Sequence, residues 1–176
     1  MKKILWLVCS LTVIAGVCSA LLAYVNVITA GPIKEIKVKQ ANEAALAVMP
    51  AAVETVEKSS TPAGELFIGK DRSGKVAGFA ITGMDPGGYG GDIVLMVGFD
   101  IESKLVSYKA LQATETPGLG TKLSSPEFKG QFSGKSADKP LAVKQDGGEI
   151  EAITSATITS RAVCRALGDA AKRLKL

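Results

Sequence analysis

Thr154-Ser155-Ala156-Thr157 stands directly before a helix-like run that ends in Lys172, Arg173 and Lys175. Hydroxyls at a helix start suit a phosphate. The first backbone N–H groups there lack intrahelical partners, and the positive end of the helix dipole favours an anion. A phosphate joined to or resting on Thr157 would meet the N–H groups of Ile158 and Thr159, with the hydroxyl of Thr159 or Ser160 in reach. The plainer reading is a capped helix, because Ser and Thr open many helices by accepting from an orphan N–H. The local pattern leaves both readings open.

Two other segments have unusual loop chemistry. Glu115-Thr116-Pro117-Gly118-Leu119-Gly120 follows a strand-like run. Pro117 restricts the backbone and Gly118 allows close approach, which suits a loop presenting polar groups to a flat ligand; Glu115 and Thr116 are the polar candidates. Taken alone, the segment reads as an ordinary turn. Gly87-Gly88-Tyr89-Gly90-Gly91 has more glycines than a turn requires. Tyr89 either stacks on a planar ligand or packs at the core edge. Lys122 either sets a positive charge beside the site or is a surface lysine.

These three motifs, in this order, resemble the FMN-binding domain shared by the G subunit of Rnf-type electron-transport complexes and the C subunit of sodium-pumping NADH:quinone oxidoreductases. The resemblance covers roughly residues 84–172, with a weaker match back to the N-terminus. It implies FMN held by a phosphoester on Thr157, attached by a dedicated flavin transferase, with Thr154, Ser155 and Ala156 completing the signature. It also implies Ile158 and Thr159 at the phosphate, Glu115, Thr116, Gly118 and Leu119 on the flavin side, and Tyr89 near the ring. No catalytic residue and no metal ligand is expected. Glu151 stands where the signature usually has Asp, Ser155 where it has Gly, and Ala113 where many relatives carry histidine. The implied role is an electron relay between integral subunits during ferredoxin:NAD oxidoreduction coupled to sodium or proton movement. The competing readings are an anchored binding or scaffold domain without flavin, in which Thr157 is only a cap, and a different FMN-domain redox protein.

Composition narrows the chemistry. The 176 residues include no histidine, which removes His-based acid–base and nucleophilic catalysis and the commonest zinc and haem ligand. Of three cysteines, Cys9 and Cys18 lie in an apolar stretch, so Cys164 is the one thiol outside it. An intradomain disulfide is excluded there, and Cys164 reads as a small buried hydrophobe. A net charge of +4 without a Lys/Arg stripe interleaved with aromatics argues against a nucleic-acid partner. Redox work, if any, falls to an organic cofactor.

The elements that must position these residues follow from period and punctuation. Residues 4–28 are uncharged and apolar, enough for one membrane-spanning helix of about 20 residues. A cleaved signal peptide competes, but its apolar core should run only about 7 to 15 residues. Val17 before Cys18 fits lipidation poorly. Basic residues flank both ends, Lys2 and Lys3 against Lys34, Lys37 and Lys39, so charge does not choose the orientation. The three-residue tail favours a signal-anchor with the domain outside the cytoplasm, in the cell membrane and contacting lipid. Pro32 suits a helix first turn, and a helix over 33–48 should stop at Met49-Pro50. Residues 58–64 read as a loop. Strands are predicted over 65–70, 76–82, 92–100 and 104–113, a short helix near 125–130, two more strands over 141–143 and 149–153, and a closing helix with Val163, Leu167, Ala170 and Leu174 on one face. The expected organisation is a membrane anchor over 1–30, a juxtamembrane helix and linker over 31–64, and an FMN-binding domain over 65–176. Its fold class is α+β, a mainly antiparallel sheet flanked by helices.

Overall fold

The computed structural model describes residues 2–62, 64–118, 120–136 and 139–175. The chain divides into two compact units, one up to Gln40 and one from Ala41 onward. Helix α1 runs Lys2–Val48. Pro32 lies inside it rather than opening a new helix; a proline removes one backbone bond, and a long apolar helix absorbs that loss. Its apolar residues, such as Leu11, Leu22 and Val27, are exposed, and the stretch is long and apolar enough to cross a membrane.

In the second unit five strands form one antiparallel meander, in sheet order β1 to β5: Thr55–Thr61, Gly64–Lys70, Val76–Asp85, Ile93–Asp100 and Leu105–Ala113. Alternation along β4 decides which helix covers which face. Ile93, Leu95, Val97 and Phe99 point to one side, where they join Ala162, Val163, Ala166, Leu167 and Ala170 of α3 (Thr157–Leu174) in the main core. Met96 points to the other, where it packs with Phe67, Ala80 and the 41–49 segment through Ala44, Ala45, Val48 and Met49. The closing helix therefore buries the apolar face its sequence predicts, with Leu174 partly buried at the end.

Two sequence expectations are corrected. Most of the loop expected at 58–64 belongs to β1, which pairs with β2 along its whole length from Thr55↔Lys70 to Thr61↔Gly64. Its polar sequence hides it because β1 is an edge strand whose support comes from its partner: Lys58 meets Glu65 and Glu57 meets Lys70, each at 2.6 Å. Residues 141–143 and 149–153 do not form two strands. They share a single parallel bridge, Val143↔Ile150, around a 3-10 turn at Lys144–Asp146 closed by Gly147 at φ 80°. Val143 and Ile150 are apolar there because each plugs the core. The short helix expected near 125–130 is α2, Pro126–Gly130, capped by the Ser125 hydroxyl accepting from Phe128 N–H.

Bare backbone sets how closely the helices lie on the sheet. A Cβ at Gly98 would sit 1.9 Å from the Val48 carbonyl oxygen, and one at Gly83 only 2.1 Å from that of Ala166 on α3. Backbone cannot move aside as a flexible side chain can. Gly83→Ala is therefore expected to destabilise the protein by about 1–3 kcal/mol or more, as overpacked cores do, read as a lower denaturant midpoint for the detergent-solubilised chain; an unchanged midpoint would show that α3 can ride up off β3 freely.

Candidate functional site

The geometry starts from one residue's backbone. Ser155 has φ 63°, a left-handed conformation that glycine adopts easily and serine does not. That kink turns the chain out of the 150–153 segment and delivers Ala156 as the N-cap of α3 and Thr157 as its first residue. Ala156 has no side-chain oxygen to offer, so the helix start receives no side-chain cap. The capped-helix reading thus fails for this terminus: neither Thr154 nor Ser155 bonds to it. Below the kink, Ile153 N–H donates to Ser160 Oγ at 2.9 Å and Ser160 Oγ–H donates to the Ala156 carbonyl at 2.9 Å. Ser160 is fully buried, a strut of the turn.

Glu115 brings the other loops to this helix end. Thr159 Oγ1–H donates to its Oε2 at 2.6 Å, and Gly90 N–H reaches Oε1 at 3.4 Å. One carboxylate, 9% exposed, therefore joins the 114–120 loop, the glycine-rich loop and the first turn of α3. The glycines make this convergence possible. A Cβ at Gly90 would lie 1.5 Å from the Thr114 carbonyl oxygen, and one at Gly120 2.4 Å from Glu115 Cβ. A second clamp holds the glycine-rich loop at its root: Arg165 donates to both carboxylate oxygens of Asp85 at 2.8 and 2.9 Å, and Asp85 Oδ1 accepts from Gly87 N–H. Hydrogen bonds from Arg165 hold the Asp85 carboxyl below its ordinary range, against burial, which pushes it up.

Between these loops lies a cavity of about 460 Å³, within the usual size range of cofactor sites, roughly 300–1,000 Å³. Tyr89, Glu115 and Thr116 line it with Ser155, Ala156, Thr157, Ile158 and Thr159. Gly120 lines it as well, a residue of the loop motif outside the contacts expected from sequence. Thr154 does not reach the cavity; it is exposed and borders a separate crevice with Lys122, Gln131 and Glu151. Gly118 is also off the cavity, at φ 79° with its N–H donating to Thr121 Oγ1. Leu119 lies outside the described residues. Glu151 is exposed, but its backbone is held at both N–H and C=O by the Gln131 amide, at 2.6 and 3.2 Å. Ala113, in the histidine position, is the exposed last residue of β5.

Two features of this cavity fit FMN. Thr157, half-buried, has a hydroxyl that bonds to no other group among the described residues, at the mouth of an uncapped helix start where a phosphate would gain N–H partners. Tyr89 is 69% exposed, with an aromatic face available to a flat ring. Among the described residues there is no cluster of His, Cys, Asp and Glu able to hold a metal ion. Cys164 is buried in α3, its thiol pushed up to about 12 by burial, and takes no part.

Residues 88–172 match the FMN-binding domain family. The chain is similar to the G subunit of the Na(+)-translocating ferredoxin:NAD(+) oxidoreductase complex of Acetobacterium woodii, 35% identical over 87% of this chain and 83% of that one. It is likewise similar to the G subunit of the ion-translocating oxidoreductase complex of Methanosarcina acetivorans, 32% identical over 96% and 93%. Its fold is similar to that in the crystal structure of Shewanella oneidensis NqrC, with a TM-score of 0.50 and 22% identity over 66% of this chain and 64% of the other.

Two measurements test the geometry. Ser155→Gly should raise stability by up to about 1 kcal/mol by relieving the left-handed strain, seen as a higher melting temperature; a drop would mean the serine side chain supports the turn. Asp85 has a folded-state pKa below its ordinary 3.8, so its ion pair stabilises above that value and the contribution fades as pH falls through the depressed one. Asp85→Asn should therefore lose less stability than wild type on acidification below about pH 4, by chemical denaturation across that range.

Proposed function

Since this chain belongs to the family of G subunits of ion-translocating oxidoreductase complexes and has an FMN-binding domain, we propose that it is a membrane-anchored electron-relay subunit carrying FMN through a phosphoester on Thr157. The observation that carries this reading is the Thr157 hydroxyl, unbonded and half-buried at the uncapped start of α3, facing the cavity where all three loop motifs converge. Bound FMN supplies the electron transfer, which needs no protein acid or base, so a histidine-free chain is no obstacle.

The residues divide the work. Thr157 fixes the phosphate end, and the N–H groups of Ile158 and Thr159 satisfy phosphate oxygens that the Ala156 cap leaves them free to meet. Thr116 and Tyr89 face the remainder of the cavity. An ester has a clear advantage over simple binding: a noncovalent ligand stabilises its site only in proportion to ln(1 + [L]/Kd), which vanishes where free FMN is scarce. The chain does not make that ester alone. Glu115, the acid in the cavity wall, is engaged by Thr159 and Gly90, and no base among the described residues touches the Thr157 hydroxyl. A flavin transferase would bring the base and an FMN donor activated as a phosphoanhydride: the anhydride P–O bond breaks as the Thr157 Oγ–P bond forms, the second phosphate leaves with its substituent, and the hydroxyl proton passes to the base.

In this reading α1 crosses the cell membrane once and the domain from Ala41 onward stands on the extracytoplasmic side. The partners are the integral subunits of the complex. Electrons pass through this subunit between two of them during ferredoxin:NAD oxidoreduction coupled to sodium or proton translocation, the reaction class in the names of its relatives.

Co-expression with a flavin transferase should give an FMN-sized increase in intact mass and flavin fluorescence that survives a denaturing gel, both absent in Thr157→Ala. Fluorescence retained by Thr157→Ala would move the linkage elsewhere, and an unmodified wild-type chain beside an active transferase would sink the covalent reading.

A further inference from the structure

Resting on that flavin-carrier reading, we infer that Glu115 sets the reduction potential of the cofactor, its buried negative charge holding the potential low. Glu115 lines the cavity and is 9% exposed. Among the described residues its two oxygens accept hydrogen bonds only from neutral groups, the Thr159 hydroxyl at 2.6 Å and the Gly90 amide at 3.4 Å. It forms no ion pair among the described residues. Arg165 holds Asp85, Arg161 holds Asp146, and Lys122 borders the other crevice. Among the described residues no lysine or arginine lines the cavity, and Glu115 is its only acid.

The space around the carboxylate is kept clear by the chain. A Cβ at Gly88 would come within 2.8 Å of Glu115 Oε1, and one at Gly120 within 2.7 Å of Oε2. Both loops are therefore bare where they pass the oxygens, so the group sits at one place in the wall.

The consequence follows from Coulomb's law in a poorly solvated site. A fixed negative charge repels added negative charge more strongly there than in water. Reduction adds an electron to the bound cofactor, so the charge at Glu115 disfavours the reduced form and lowers the potential. A carboxylate only accepts hydrogen bonds, so it cannot offset this by donating to a reduced ring.

The test separates charge from shape on the full-length, flavinylated chain in detergent, by spectroelectrochemical titration. Glu115→Gln keeps the size and removes the charge; Glu115→Asp keeps the charge and shortens the reach. The expected result is a more positive midpoint potential for Glu115→Gln and a value near wild type for Glu115→Asp, at equal covalent flavin content by in-gel fluorescence. A wild-type potential in Glu115→Gln, or equal shifts in both variants, would overturn the inference and leave Glu115 a purely structural tie. Should Glu115→Gln fail to fold by thermal melting, Glu115→Ala, which also removes the charge, takes its place: a more positive potential supports charge control, and a wild-type value overturns it. Loss of covalent flavin from wild type itself would count against the carrier reading instead.

Discussion

The cavity depends on the left-handed backbone at Ser155. Three residues separate Ile153, which is in the core, from Thr157, the first residue of α3. Only a sharp reversal fits in that space, and it places the threonine hydroxyl outward while the strut at Ser160 stays inside. The position that glycine holds in the related signature is thus the one with φ 63°, so the departure from that signature falls where it has a conformational cost. The fold accommodates the strain because Ser160 fixes the turn on both flanks.

Around that turn, charge is used to hold loops rather than to perform acid–base work. Asp85 with Arg165, and Glu115 with Thr159, each join segments far apart in the chain, and both act on the glycine-rich loop. A loop of bare backbone would otherwise be mobile, because glycine loses more conformational freedom than any other residue on ordering. Two carboxylates restrain it, one at its root and one near its centre.

The extent to which this was legible from sequence varied with the kind of signal. Strands β2 to β5 showed themselves through alternating β-branched residues and Asp/Gly turns, and α3 through its apolar spacing, because burial on one face leaves a periodic imprint. β1 left none: as a polar edge it depends on pairing, a property of β2 as much as of itself. Val143 and Ile150 gave a false strand signal because a core plug and a strand residue are equally apolar. At the site, the loop motifs were visible, but the Arg165–Asp85 and Gln131–Glu151 contacts were not. Those pairs lie 80 and 20 residues apart, and nothing local marks one as the partner of the other.

The sheet order has a consequence for how the molecule is made. Every strand pairs with its neighbour in the chain, so the meander can zip up hairpin by hairpin as it leaves the ribosome, with little loop-closure entropy to overcome. α3 is different, because it returns to β3 and β4 from the far end of the sequence. Thr157 and the two loops that line the cavity with it therefore come together only once α3 has returned to the sheet. A chain lacking α3 lacks Thr157 and one wall of the cavity, so a cofactor attached there, as proposed above, would mark a chain whose synthesis and folding have finished.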